Sequence, residues 1–185
     1  MKVLGISGSL RRDSHNTKLL RAAGDLLPPG VELELWEGLK SVPPYDADDD
    51  GGDREWSLVS LDAAIRDADA VLFSTPEYNH SVPGQLKNAL DWLSRPLKDS
   101  PLRNKPAAVV GASTGLFGAV WAQAELRKVL GALGANVVDR ELPVGQAADA
   151  FTEDGRLADD ELELVLADLL AELLGEVRVA LAEAA

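Results

Sequence analysis

The chain contains no cysteine. That absence removes disulfides, thiolate metal sites, iron–sulfur clusters and cysteine nucleophiles together. Histidine is scarce too, with His15 and His80 as its two copies. Positive charge is in deficit: 18 basic residues face 31 acidic ones, a net charge of −13. Such a chain repels phosphate backbones and anionic lipid, so no nucleic acid and no membrane surface is expected as partner. Long apolar runs are missing as well. MKVLGISGSLRR is too short in apolar residues for a signal peptide, and the C-terminal apolar stretch is broken by Glu163, Asp168, Glu172 and Glu176. The expectation is a cytoplasmic, unexported protein. What remains is a chain of 185 residues, 46% hydrophobic, enough to bury one full core, and residues 1–185 are read as one domain.

Apolar runs alternate with helical patterns. KVLGIS (2–7), AVLFSTP (70–76), PAAVVGAS (106–113) and ANVVDRELPV (135–144) have the look of buried parallel strands. VELELW (31–36) instead alternates, with Val31, Leu33 and Leu35 opposite Glu32 and Glu34, as an edge strand would. Helices are predicted near 15–27, 56–68, 84–94, 119–133 and 159–183. This is an α/β chain with a five-stranded parallel sheet, and an alternating second strand at one edge suits the order 2-1-3-4-5. In that order the switch point lies between strands one and three, so the loops beginning at Ser7 and Thr75 face one pocket. The acidic loop PPYDADDDGGD (43–53) is expected to be mobile. It starts like a calcium loop, but Arg54 and Ser57 stand at its ninth and twelfth positions, which argues against calcium.

The first loop, GSLRRDSHN (8–16), joins a strand to a hydroxyl-rich helix start, where free backbone N–H groups and the helix dipole favour an anion. Residues 1–21 carry Lys2, Arg11, Arg12, Lys18 and Arg21 against Asp13 alone. Charge is thus inverted where a phosphate would sit, although Ser14 or Asn16 capping the helix beside solvated arginines would look the same. A nucleoside-triphosphate loop lacks its lysine here, and GxGxxG is incomplete, with Gly5 and Gly8 only and Glu37 near the place of a ribose-binding acid. Hydroxyls of Ser9, Ser14 and Thr17 with Arg11 suit the terminal phosphate of a mononucleotide better.

The second loop runs between Pro76 and Pro83, a proline-bounded shelf on which Tyr78 and the backbone of Glu77 and Asn79 could support a planar ligand. His80 reads as a polar rim residue and His15 as a solvated neighbour of the first helix turn. The third loop, GASTGLFG (111–118), matches GxSxG at Gly111, Ser113 and Gly115. A hydrolase needs its histidine after that serine, and both histidines precede it. The glycines are read as room for a flat ligand.

Together the three loops resemble the NADPH-dependent FMN reductase family, flavodoxin-like enzymes that include quinone, azo-dye and chromate reductases. GSLRRDSHN resembles the family's phosphate loop, PEYNHSVPGQLKNALDWLSRP (76–96) its most diagnostic stretch, and FTEDGRLAD (151–159) its final loop. The resemblance implies a flavodoxin-like three-layer sandwich. It implies that Ser9, Arg11, Ser14, Asn16 and Thr17 grip the FMN phosphate, that Pro76, Glu77, Tyr78 and Asn79 edge the isoalloxazine ring, and that Ser113, Thr114 and Gly115 meet its far side. It further implies NADPH or NADH as donor, ping-pong transfer to a quinone, flavin, azo compound or chromate, and a homodimer or homotetramer. No protein side chain is assigned as a catalytic acid or base, and no metal. A flavin-binding electron carrier without nicotinamide turnover stays open, and so does a hydrolase acting through Ser113, against which the order of the histidines weighs. So do two local questions: Ala119, Val120 and Trp121 replace a run that is glycine and then arginine in many relatives, and Trp92 and Leu93 belong either to a subunit contact or to the core.

Overall fold

In the computed structural model, which describes residues 1–51 and 54–183, the central sheet is parallel with the order β2-β1-β3-β4-β5. Its strands are β1 (Lys2–Ser7), β2 (Glu32–Trp36), β3 (Ala70–Thr75), β4 (Pro106–Ala112) and β5 (Asn136–Val137), with β6 (Pro143–Val144) pairing further along β4. Helices α1 (His15–Asp25), α2 (Trp56–Asp67), α3 (Gly84–Leu93), α4 (Val120–Ala132) and α5 (Asp160–Glu183) supply the outer layers.

Strands β3 and β4 are buried along their whole length, so both faces need cover. On one face Val3, Leu72 and Val110 pack against Leu19 and Leu20 of α1 and Leu166, Leu169 and Leu173 of α5. Ile6, Phe73 and Val109 meet Leu61, Leu90 and Leu126 of α2, α3 and α4 on the other. Each such large side chain contributes about 1.5–3 kcal/mol by leaving water. The leucine stripe of α5 is therefore sheet cover. Trp92 and Leu93 are also core residues within one chain, 4% and 3% exposed, and the Trp92 indole N–H donates to the Pro43 carbonyl.

Two expectations need correction. The fifth strand is not continuous over 135–144: after two residues the chain leaves the sheet and rejoins it at Pro143. The interruption is charged, and its side chains pair outward, Arg140 with Glu172 of α5 and Glu141 with Arg127 of α4. Nor is the acidic loop free along its described part. Asn88 accepts from the Tyr45 N–H at 2.7 Å and donates to the Pro43 carbonyl at 2.8 Å, while Tyr45 meets Trp92 edge to face.

Candidate active site

Loops one, two and three leave the C-terminal ends of β1, β3 and β4, neighbours in the sheet, and so converge. Loop one turns at Gly8, where a Cβ would come within 2.9 Å of Leu86 and 3.3 Å of Pro76. Its hydroxyls organise the turn: Ser7 accepts from the Ser9 N–H at 3.3 Å and Ser9 from the Arg11 N–H at 3.4 Å. Ser14 caps α1, its Oγ accepting from Asn16 and Thr17. Among the described residues the N–H groups of Ser14 and His15 meet no protein acceptor, which leaves donors at the positive end of the helix for an anion.

Asn16 is 3% exposed. Its Nδ2 donates to the Ala112 carbonyl at 2.9 Å, while its Oδ1 accepts from the Ala112 N–H at 3.0 Å and from Ser74 Oγ at 2.9 Å. The side chain expected to grip a phosphate is thus a bolt joining α1, β3 and β4, with one amide hydrogen left over. Gln123 does the same for the far side. Fully buried, it donates to the carbonyls of Gly118 and Leu142 and accepts from the Leu142 N–H. Neither bolt carries a sequence signature; a polar residue inside an apolar helix pattern is the one hint.

Loop two is a two-residue hairpin turn. Tyr78 and Ser81 exchange both backbone bonds at 3.1 Å, and Asn79 and His80 between them have φ of 53° and 60°. These are the left-handed conformations of a type I′ turn, which asparagine and histidine tolerate better than most residues. The shelf is therefore stiff for a reason other than its prolines. Glu77 bridges out of it: its Oε2 accepts from the N–H groups of Trp121 and Ala122 at 3.1 and 3.2 Å, while its Oε1 lies 3.5 Å from His80 Nδ1. Helix α4 has no cap of its own, since Ala119 before it sits at φ 62° without a side-chain acceptor. A carboxylate from loop two thus caps the helix that follows loop three.

Loop three is packed more tightly than a ligand channel requires. A Cβ at Gly118 would lie 2.3 Å from the Pro143 carbonyl carbon, and one at Gly111 would meet Thr75, Gln123 and Ala119 at 2.9–3.0 Å. Of the three glycines in this loop, only Gly115 would hold a Cβ without crowding, its nearest neighbour lying at an ordinary contact distance of 3.6 Å. Ser113 Oγ accepts from the Gly115 N–H, with no histidine bonded to it. The loop carries an exposed rim in which Trp121 meets His80 edge to face at 4.8 Å and Phe117 at 5.1 Å.

The three loops enclose a cleft of about 150 Å³. Ser9, Arg11, Ser14 and Asn16 line one side, Pro76, Glu77 and Tyr78 the second, Ser113 and Thr114 the third. Thr17, Asn79 and Gly115 are not in its lining, Thr17 facing a neighbouring recess instead. His15, expected to be solvated, does line it; its ring stacks on Phe151 of the 151–159 loop at 6.3 Å, and its Nδ1 is buried without a partner. Burial, then the nearby Lys18 and Arg11 charges, lower the His15 pKa below its usual 6.5. A hydrogen bond from Lys18 holds the Asp13 carboxyl below the usual carboxylate range, so loop one's one acid is already neutralised by a partner.

Comparison with known proteins places the chain in a family. Residues 1–149 match the model of the family described as NADPH-dependent FMN reductase. The chain belongs to that family. It is 44% identical over 173 residues to an NAD(P)H-dependent FMN reductase of Pseudomonas aeruginosa, covering 92% of each chain. It is 40% identical over 141 residues to a quinone reductase of Escherichia coli K12, covering 76% of this chain and 74% of that one. Among solved structures, FerB of Paracoccus denitrificans, a flavoenzyme NAD(P)H:(acceptor) oxidoreductase, superposes with a TM-score of 0.84 at 35% identity, covering 96% and 97% of the two chains.

The cleft suits the FMN of an FMN reductase on its own chemistry. Unpaired N–H groups, the Ser9 hydroxyl and Arg11 come from loop one, and the half-exposed Tyr78 ring faces the same cleft from loop two. The first set answers a dianion and the second a flat ring.

Proposed function

We propose that this chain, an FMN-dependent NAD(P)H oxidoreductase by family, uses the cleft to pass electrons to a quinone or a related small acceptor. The observation that carries the reading is the meeting of a helix N-terminus, Arg11 and a rigid aromatic-bearing turn at one switch point of the sheet. FMN, when bound, would supply a two-electron centre for hydride transfer between a nicotinamide and a second substrate.

The protein's part is positional. Arg11, Ser9 and the N–H groups of Ser14 and His15 hold the phosphate; Pro76, Tyr78 and the 113–115 backbone orient the ring. The type I′ turn and the Glu77 cap keep those walls at a fixed spacing, so a substrate meets its partner atom without reorganisation. Donor and acceptor share one open side in turn, a ping-pong order that the exposure of Tyr78 permits. The exposed Leu116, Phe117 and Trp121 side chains give a surface for a homodimer or homotetramer. No helix among the described residues is long and apolar enough to cross a membrane, and a cytoplasmic location agrees with that.

The test is an anaerobic visible spectrum of protein reconstituted with FMN, before and after NADPH and again after a benzoquinone. Bleaching by NADPH and recovery with the quinone are expected. Bound flavin that stays oxidised with both nicotinamides would make the protein a carrier, and no flavin binding at all would overturn the reading of the cleft.

A further inference from the structure

Beside the cleft, on the β2 side of loop one, lies a second recess of about 300 Å³ that shares Ser9 and Arg11 with it. The recess is walled by Arg11, Arg12 and Arg21 from the first loop and helix and by Lys40 from the short turn after β2. Among the described residues none of these four cations is salt-bridged. That is unexpected in a chain with 31 acidic residues, where unpaired cations have many carboxylates to choose from. Like charges held around one concavity repel each other and raise its potential, an arrangement that an anion relieves.

The floor of the recess is different in kind. Leu35, Trp36 and Leu39 form it, and Trp36 is fixed in place because its indole N–H donates to Ser60 Oγ at 3.1 Å. Gly38 lets the chain double back over that indole: a Cβ there would lie 2.4 Å from the ring, so a larger residue would push the indole from its place. Glu37, also on the rim, is an acceptor suited to a hydroxyl. Apolar floor, one hydroxyl acceptor and a ring of guanidinium and ammonium groups are the complement of a phosphorylated nucleoside.

We infer that this recess binds the adenosine 2′-phosphate end of NADPH and selects it over NADH. The inference rests on the NAD(P)H-dependent reading of the adjoining cleft. It assigns Arg12, Arg21 and Lys40 to the 2′-phosphate and leaves Arg11, shared by both spaces, with the flavin phosphate. Exposed cations are screened by salt, so selectivity should fall as ionic strength rises.

The experiment uses FMN-loaded protein and two probes, 2′,5′-ADP and 5′-ADP, followed by calorimetry, alongside the double variant Arg21→Glu/Lys40→Glu. The wild type should bind 2′,5′-ADP about 10-fold or more tighter than 5′-ADP, the size of one charge-assisted contact. The double variant should lose that advantage and raise KM for NADPH but not for NADH, with FMN affinity within about twofold of wild type. Equal binding of the two probes, or equal loss of both in the variant, would mean the recess does not read the 2′-phosphate and overturns the inference. Weakened FMN in the variant overturns it too, by returning the recess to the flavin. Wild-type protein that takes up no FMN would instead fail the reading of the cleft itself. Should the charge reversals impair folding, Arg21→Gln/Lys40→Gln applies the same criteria at smaller amplitude.

Discussion

The two walls of the cleft are built on opposite plans. Loop one keeps its amide inside and its cations outside: Asn16 spends its oxygen and one amide hydrogen on Ala112 and Ser74, whereas Arg11 makes no side-chain bond among the described residues. Loops two and three keep their one acid turned inward, on the start of α4, and present aromatic rings at the rim. The first wall therefore holds free donors on a fixed base, and the second is a stiff surface whose one carboxylate is already engaged. Ligand charge is answered on one side and ligand shape on the other.

The contrast breaks most severely at the bolt. Asn16→Leu leaves the Ala112 N–H and C=O and the Ser74 hydroxyl without partners, and each orphaned buried group costs about 1–3 kcal/mol. A loss of about 3 kcal/mol or more in urea-unfolding stability of the flavin-free protein is expected, with FMN binding lost alongside it. A stable variant with normal FMN affinity would show that the amide is dispensable.

Arg11→Ala sharpens the same contrast from the other side. It should leave unfolding stability unchanged and weaken FMN by about 1.5–3 kcal/mol, the scale of a hydrogen bond to a charged group. Fluorescence titration of FMN measures it, and unchanged affinity rejects the role. On the second wall, Glu77→Ala removes the cap of α4 and should cost about 1–2 kcal/mol of stability. Its effect on FMN retention should be smaller than that of Arg11→Ala. If Glu77 instead proves the larger determinant of FMN binding, the two walls do not divide the work as described.

Layer order, strand order and the cleft's location were all legible, because they follow from apolar periodicity and from where loops leave a parallel sheet. The inventory of loop-one donors was legible too, through inverted charge. What escaped was how individual side chains are spent. GSLRRDSHN reads the same whether Asn16 faces a phosphate or Ala112, since the choice depends on a strand 96 residues away. Glu77 is equally ambiguous, its target lying across a loop, and Gly118 of loop three reads as ligand room where β6 fills the space. The break between β5 and β6 had a signal in the run Asp139, Arg140, Glu141, whose charges belong on a surface and not in a central strand.

A quieter probe separates the walls without destabilising either. His15 stands at the first wall with its pKa below 6.5, chiefly through burial and then through Lys18 and Arg11. A base whose folded pKa is depressed resists protonation in the native state, so its contribution to stability is complete above 6.5 and is lost as pH falls through the folded value. An FMN phosphate placed beside Arg11 counters both cations and should raise the His15 pKa toward its usual value. Proton NMR titration of the His15 imidazole with and without FMN measures this directly. A His15 pKa unmoved by bound FMN would put the ligand's charge away from the first wall.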